Sequence, residues 1–425
     1  MLTSRERVAL ALDHQEPDRV PLDLGGSPAT SMHVSSVYLL RQALKLDPPG
    51  TPVKVVEPFQ MLGEIKPDLL EAVGADVLPL SSLKTFFGFM NEGWKPWTFW
   101  DGTPLLVPEG FNTQPEPNGD ILLYPEGDRS APPSGRMPMG GFYFDVIVRQ
   151  PPIDESRLDP EDNVEDFGPI SDNELEYYRQ EAERLYTETD KAIMACFGGT
   201  SFGDIGLVPA PWLKYPKGIR DIEQWYISTV KRKDYIFRVF ERQCEIGLAN
   251  LEKLYRVVGD QVAAIFVNGA DFGTQTGPLV SRRTYRELFM PFHQAVNAWI
   301  HAHTPWKTLH HSCGSVMALM PDFVEAGFDI FNPVQCSAAN MEPQELKDRY
   351  GKQLVFWGGG VDTQYTLPFG SPDEVRREVR ERIRIFGPGG GYIFNTVHNV
   401  QAGIPTENLV ALYDAARDCG HYPLQ

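Results

Sequence analysis

The chain has 425 residues, 42% hydrophobic and 23% charged, enough to bury a sizeable core in about two or three average domains or in one large α/β barrel with insertions. Its net charge of −18, from 39 basic against 57 acidic residues, argues against nucleic acid and anionic membranes as partners and sets the global field against a substrate rich in carboxylates. The five cysteines (Cys196, Cys244, Cys313, Cys336, Cys419) are scattered without framework spacing and read as free thiols of a reducing compartment. The start Met1–Arg7 has no signal-like apolar region and no run approaches the roughly 20 apolar residues of a membrane span, so the expected location is cytoplasmic.

Short apolar runs suited to buried parallel strands alternate along the chain with segments of helical period. Val20–Gly25 and Ala75–Leu80 come first. A stretch from about residue 86 to 152 follows, rich in Pro, Gly and aromatics such as Trp94, Trp97, Trp100, Tyr124, Phe142 and Tyr143. It reads as a β-rich insertion after the second strand, either a substrate lid or a surface elaboration. The next runs are Ile193–Gly199 and Ala263–Ala270, separated by Lys217–Val258, long enough for two or three solvated helices. Thr308–Ser312, Asp329–Val334, Leu354–Gly358 and Tyr392–Val397 complete the strands, with helices at Ser281–His303, Met317–Ala326, Ser371–Phe386 and Thr406–Cys419.

Eight strands with intervening helices predict a (β/α)8 TIM barrel, one domain over residues 1–425 with the insertion at about 86–152. A doubly wound open sheet is the competing arrangement. The glycine-rich dinucleotide fingerprint is missing after its first strand, where Leu22-Asp23-Leu24-Gly25-Gly26-Ser27 has no third glycine at the required spacing.

In such barrels the chemistry is built at the C-terminal strand ends. The polar residues placed there are Asp23, Thr200, Asn268, Asp271, His311, Cys313, Asn332, Gln335, Cys336, Asp362, His398 and Asn399. The most informative stretch is His311-Ser312-Cys313-Gly314. On an extended backbone residues i and i+2 face one side, so an imidazole and a thiol enter the same space, and both are groups zinc prefers. His398, closing the last strand, is the candidate third ligand, with Cys336 as the alternative thiol donor. By alternation His310 faces the outside of its strand. Asp271, in Asn268-Gly269-Ala270-Asp271-Phe272-Gly273-Thr274-Gln275, ends a strand inside a glycine-containing loop. Its carboxylate could accept a proton, orient a ligand histidine, hold a substrate cation, or simply cap the loop. The paired glycines Gly198-Gly199 before Thr200 allow close backbone approach to a ligand, or a tight turn alone.

At these residues the chain resembles the uroporphyrinogen decarboxylase superfamily, which includes corrinoid- and thiol-dependent methyltransferases. The resemblance covers nearly the whole chain. It is carried by Arg5-Glu6-Arg7-Val8 with Pro17-Asp18-Arg19-Val20-Pro21, by Asp271 through Tyr285-Arg286-Glu287-Leu288-Phe289-Met290-Pro291, by His311-Ser312-Cys313-Gly314, and by Ile404-Pro405-Thr406-Glu407-Asn408-Leu409. It implies a (β/α)8 barrel. The family's true decarboxylases use no metal and carry an arginine-rich segment after the first strand, where this chain has Gly25-Gly26-Ser27-Pro28-Ala29-Thr30. The methyltransferase branch has a His-x-Cys pair and a later cysteine that hold zinc. Here the pair is His311 and Cys313, and Val397-His398-Asn399 stands where the later cysteine belongs.

The resemblance therefore implies a zinc-dependent methyltransferase that moves a methyl group between a methyl-corrinoid or another methylated donor and a thiol acceptor. His311, Cys313 and His398 would bind the metal. Asp271 and Asp23 are the expected catalytic carboxylates, and Thr200, Asn268, Gln275, Asn332 and Gln335 are the expected substrate contacts. The expected partners are a small-molecule substrate, a corrinoid protein and a second copy of the chain in a homodimer. Two alternatives stand beside this reading. One is a cofactor-free decarboxylase in which Asp23 or Asp271 contacts pyrrole nitrogens. The other is a non-catalytic barrel that only binds a corrinoid or metal.

Overall fold

A seven-stranded parallel sheet forms the frame in the computed structural model, which describes residues 2–424. Its strands lie side by side in chain order: Val77–Leu80, Ala192–Ala195, Ala264–Asn268, Lys307–His311, Ile330–Asn332, Val355–Trp357 and Tyr392–Ile393. Each falls within or overlaps a run expected from the sequence, and the intervening helices include Lys233–Val258, Met290–His303, Pro372–Phe386 and Thr406–Cys419.

The remaining expected strand, Val20–Gly25, does not form a regular ladder. Pro21 has no N–H to donate, and the chain turns at Gly25, whose φ is +90°. The segment nevertheless fills the gap between the two sheet edges. On one side Asp23 N–H donates to Phe394 O at 2.9 Å and Phe394 N–H to Pro21 O at 2.8 Å. On the other, Asp76 N–H donates to Leu22 O at 2.7 Å. The frame is thus a TIM-barrel-like ring closed through one irregular segment.

Alternation along the strands fills the ring. Val77, Ala192, Met194, Ala264, Leu309, Ile330, Val355, Trp357 and Ile393 make one buried cluster with Val8, Ala11 and Leu12. The helix Ser4–Leu12, capped by Thr3 and Glu6, therefore plugs one end of the ring. Each large aliphatic side chain buried there contributes about 1.5–3 kcal/mol. At the same end, fully buried Asp76 binds both Arg7 and Arg19.

The stretch 86–152 holds the short strands Lys95–Thr98, Pro104–Val107, Ile121–Leu123, Gly135–Met137 and Asp145–Val146. Two further strands not foreseen from sequence, Val53–Glu57 and Leu62–Gly63, extend its first sheet. Phe59 stacks on Phe86 with ring centroids 4.5 Å apart, and Phe86 meets Trp212 edge-on at 6.1 Å. This aromatic packing joins the stretch to the loop that follows Ala192–Ala195. Among the described residues no helix is long and apolar enough to cross a membrane.

Candidate metal centre at the barrel mouth

The parity that points Leu309 into the ring also points His311 inward, one layer nearer the mouth, while His310 faces out. His310 is fully buried among Phe323, Phe328 and His293, its ring 4.1 Å from that of Phe323, and burial holds its pKa well below the usual range. Ile330 and Asn332 share the inward parity on the neighbouring strand, and His311 pairs in register with Asn332.

Beyond the strand end the chain turns at Gly314, with φ +85°. A Cβ there would lie 2.5 Å from the Gly273 backbone, so only glycine lets the two loops pack. The turn places Cys313 Sγ 3.5 Å from His311 Nε2. His398 has a φ of +64°, a backbone region in which histidine is uncommon, and its ring centroid lies 5.3 Å from that of His311.

One ligand atom from each of His311, Cys313 and His398 lies within 4.8 Å of the other two. Zinc–nitrogen and zinc–sulfur bonds of about 2.0–2.1 and 2.3 Å at a tetrahedral angle put N and S about 3.6 Å apart. The His311–Cys313 separation is close to that spacing, and two imidazoles with a thiol are ligand types that zinc accepts. Burial, with the neighbouring His311, holds His398 down at about 4, while burial and then Asp271 push the Cys313 thiol well up. Both shifts describe neutral donors facing one another. Cys336, the alternative donor, is not in this group. Its Sγ donates to Val334 O at 3.3 Å, and burial raises its pKa to about 12.

The loop carboxylate Asp271 accepts the Cys313 N–H at 2.7 Å and lies 3.9 Å from His311 Nε2. A second carboxylate, Asp204, escaped the sequence reading. It accepts from Gly206 N–H at 2.9 Å and Ser201 Oγ at 3.2 Å, and burial followed by Asp271 raises its pKa. Its only sequence signal is the turn Gly203-Asp204-Ile205-Gly206. Asp23 accepts Trp357 Nε1–H and Gly26 N–H, both at 2.8 Å, and burial lifts it to about 6.

The other expected site residues hold the frame together. Thr200 donates to Val267 O at 2.7 Å. A register shift after Phe266 sets Asn268 opposite His310, where its amide nitrogen lies 3.1 Å from His310 Nδ1. Gln335 accepts Gly314 N–H at 2.7 Å and donates to exposed Gln275 at 3.2 Å, buckling the loops together. Asn332 bonds both His311 and Trp357 O.

The segments 23–31, 269–281, 312–319, 333–342, 358–371 and 394–405, which follow six of the strand ends, hold no lysine or arginine, whereas the loop after Leu80 holds Lys84 and the loop after Ala195 holds Lys214, Lys217 and Arg220. Elsewhere the buried carboxylates Asp76, Asp166 and Asp322 are each bridged by arginine. Among the described residues, Asp23, Asp204 and Asp271 have no such partner.

Comparison with known proteins agrees with this architecture. The chain is 23% identical over 291 residues to a uroporphyrinogen decarboxylase of Synechocystis sp., covering 66% of this chain and 75% of the relative. A uroporphyrinogen decarboxylase of Alkalilimnicola ehrlichii is 31% identical over 71 residues, 17% of this chain and only 19% of that protein. A solved methyltransferase structure from Methanosarcina mazei superposes with a TM-score of 0.56 at 14% identity, covering 98% of this chain and 99% of that one, which shows a shared fold. The family model described as uroporphyrinogen decarboxylase (URO-D) matches residues 149–419, a span that holds all the barrel strands from Ala192 to Ile393 and every donor of the mouth cluster, and the chain belongs to that family.

Proposed function

We propose that this member of the family is a methyltransferase in which His311, Cys313 and His398 hold zinc and a thiol accepts a methyl group from a methyl-corrinoid or another methylated donor. The observation that carries the reading is the convergence of the three ligand atoms within 4.8 Å at the barrel mouth. Zinc, when bound, lowers the pKa of a coordinated thiol so that the thiolate is available at neutral pH.

The chain's own residues do the rest. Asp271 stands beside the donor group as the carboxylate that takes the thiol proton. The acceptor sulfur then forms the new bond to carbon, and the electron pair of the broken bond stays with the donor. The aromatic stretch that begins at Phe59, next to the Gln60 that bonds Asn399 behind His398, would supply an apolar face for a flat donor.

The names of the curated relatives favour decarboxylation as the second reading. Residues 23–31 and five further mouth loops hold no lysine or arginine, which speaks against it, since a substrate carrying several carboxylates would find no counter-charge on them.

Metal analysis of the purified protein beside a His311→Ala/Cys313→Ala double variant tests the methyltransferase reading. Stoichiometric zinc in the first and its loss in the second is the expected result. Sub-stoichiometric zinc in both would sink it. Incubation with methylcobalamin and a panel of small thiols should show corrinoid demethylation by absorbance. Incubation with uroporphyrinogen should yield no coproporphyrinogen.

A further inference from the structure

Behind each imidazole of the donor group stands a buried asparagine that bonds its Nδ1. Asn332, fully buried, donates its Nδ2–H to Trp357 O at 2.7 Å. That bond fixes which end of the amide is oxygen, so Oδ1 faces His311 Nδ1 at 2.5 Å and the ring proton resides on Nδ1. Asn399, also buried, donates Nδ2–H to Gln60 Oε1 and accepts from Gln401 Nε2 at 2.6 Å. Its Oδ1 also lies 2.8 Å from His398 Nδ1 and accepts that ring proton too.

The two clamps differ in what anchors them. Asn332 is held by the next strand of the barrel. Asn399 is held through Gln60 to the turn where Glu57 accepts the Phe59 and Gln60 N–H groups, each at 2.8 Å. Phe59 O in turn accepts Phe144 N–H at 2.8 Å. One histidine is therefore set by the barrel wall and the other by the aromatic stretch beside the mouth.

We infer that Asn332 and Asn399 are positioning residues that hold His311 and His398 as Nδ1–H tautomers, so that both Nε2 lone pairs face a single metal ion. The inference rests on the metal reading above. With the proton on Nε2 instead, either ring would present an N–H to the Cys313 side and could not ligate. Partners of this kind typically change metal affinity by about 10–100-fold when removed.

The test uses the full chain and zinc ions alone, with a competing chelator to read affinity. Asn332→Ala and Asn399→Ala should each weaken zinc binding by about 10–100-fold while circular dichroism stays that of the parent. Long-range 1H–15N spectra of histidine-labelled, metal-free protein should show an unprotonated Nε2 at both residues in the parent and mixed tautomers at the residue whose clamp is removed. Protonated Nε2 atoms in the parent overturn the inference without any variant. So does zinc binding within twofold of the parent in both variants. A parent with bare Nε2 atoms that binds no zinc overturns the metal reading instead, so the two failures are told apart.

Discussion

The carboxylate of Asp271 accepts the backbone N–H of Cys313 at 2.7 Å, so the loop after the Ala264–Asn268 strand grips the residue that carries the thiol. This bond gives Asp271 a positional role separable from its charge. Asp271→Ala leaves a half-buried N–H without its acceptor and should lower stability by about 1–3 kcal/mol in urea unfolding. Asp271→Asn keeps an acceptor oxygen and should stay within about 1 kcal/mol of the parent, while the proposed thiol-proton transfer would lose its base. Equal destabilisation by both changes would show that the charge, not the hydrogen bond, holds the loop.

At the opposite end of the ring, Asp76 accepts from Arg7 and Arg19 at 2.7 Å and from Ser4 Oγ and Leu22 N–H at 2.9 Å. One carboxylate thus ties the plugging helix, the irregular closing segment and the first regular strand. Removing it leaves Arg19 without a carboxylate and Arg7 with Asp18 alone in a poorly hydrated seam. Asp76→Ala should destabilise by about 3–5 kcal/mol, read as a lower urea midpoint at unchanged slope. A loss below about 1 kcal/mol would mean that water reaches the seam.

What could be read from sequence followed from local pattern. The buried strands were visible as apolar runs, and His311 and Cys313 declared themselves by spacing alone. His398 came into view from its strand-end position together with the family comparison. The closing segment was harder, because Val20–Gly25 has the composition of a strand while Pro21 and the turn at Gly25 deny it a ladder. Asp204 had no strand or motif to mark it, and its neighbour Asp271 is far along the chain. Asn332 was legible as a strand-end polar residue, but its two hydrogen bonds, to His311 and to Trp357 O, exist only once three strands stand in register. Sequence marks the candidate ligands, whereas the groups behind them emerge from tertiary pairing.

Glu57 gives a stability signature between acid and neutral pH. Burial raises its pKa from the ordinary carboxylate range to about 7, although its carboxylate accepts two backbone N–H groups. Between about pH 4.5 and 7 the unfolded chain releases this proton while the folded chain keeps it, so stability falls as pH rises through that window. The swing is at most about 3 kcal/mol, less by whatever water reaches the half-buried group. Glu57→Gln mimics the protonated form and should lack this slope. Parallel curves of urea stability from pH 5 to 8 for the two proteins would rule the assignment out.

His293 works in the opposite direction. It is fully buried, and burial lowers its pKa to about 3. The Tyr285 hydroxyl lies 3.0 Å from Nδ1 and donates to it, while Nε2 has no partner in the core. Below about pH 6.5 the unfolded chain takes up a proton that the folded ring refuses, and stability declines by about 1.4 kcal/mol per pH unit until about pH 3. His293→Phe removes that titration but leaves the Tyr285 hydroxyl without its acceptor, a pH-independent loss of about 1–3 kcal/mol. The variant should therefore start less stable at pH 7 and lose stability more slowly on acidification, so that the two curves converge near pH 5. Urea unfolding at half-unit pH steps reads both offset and slope, and an unchanged slope would show that His293 is already charged in the folded core.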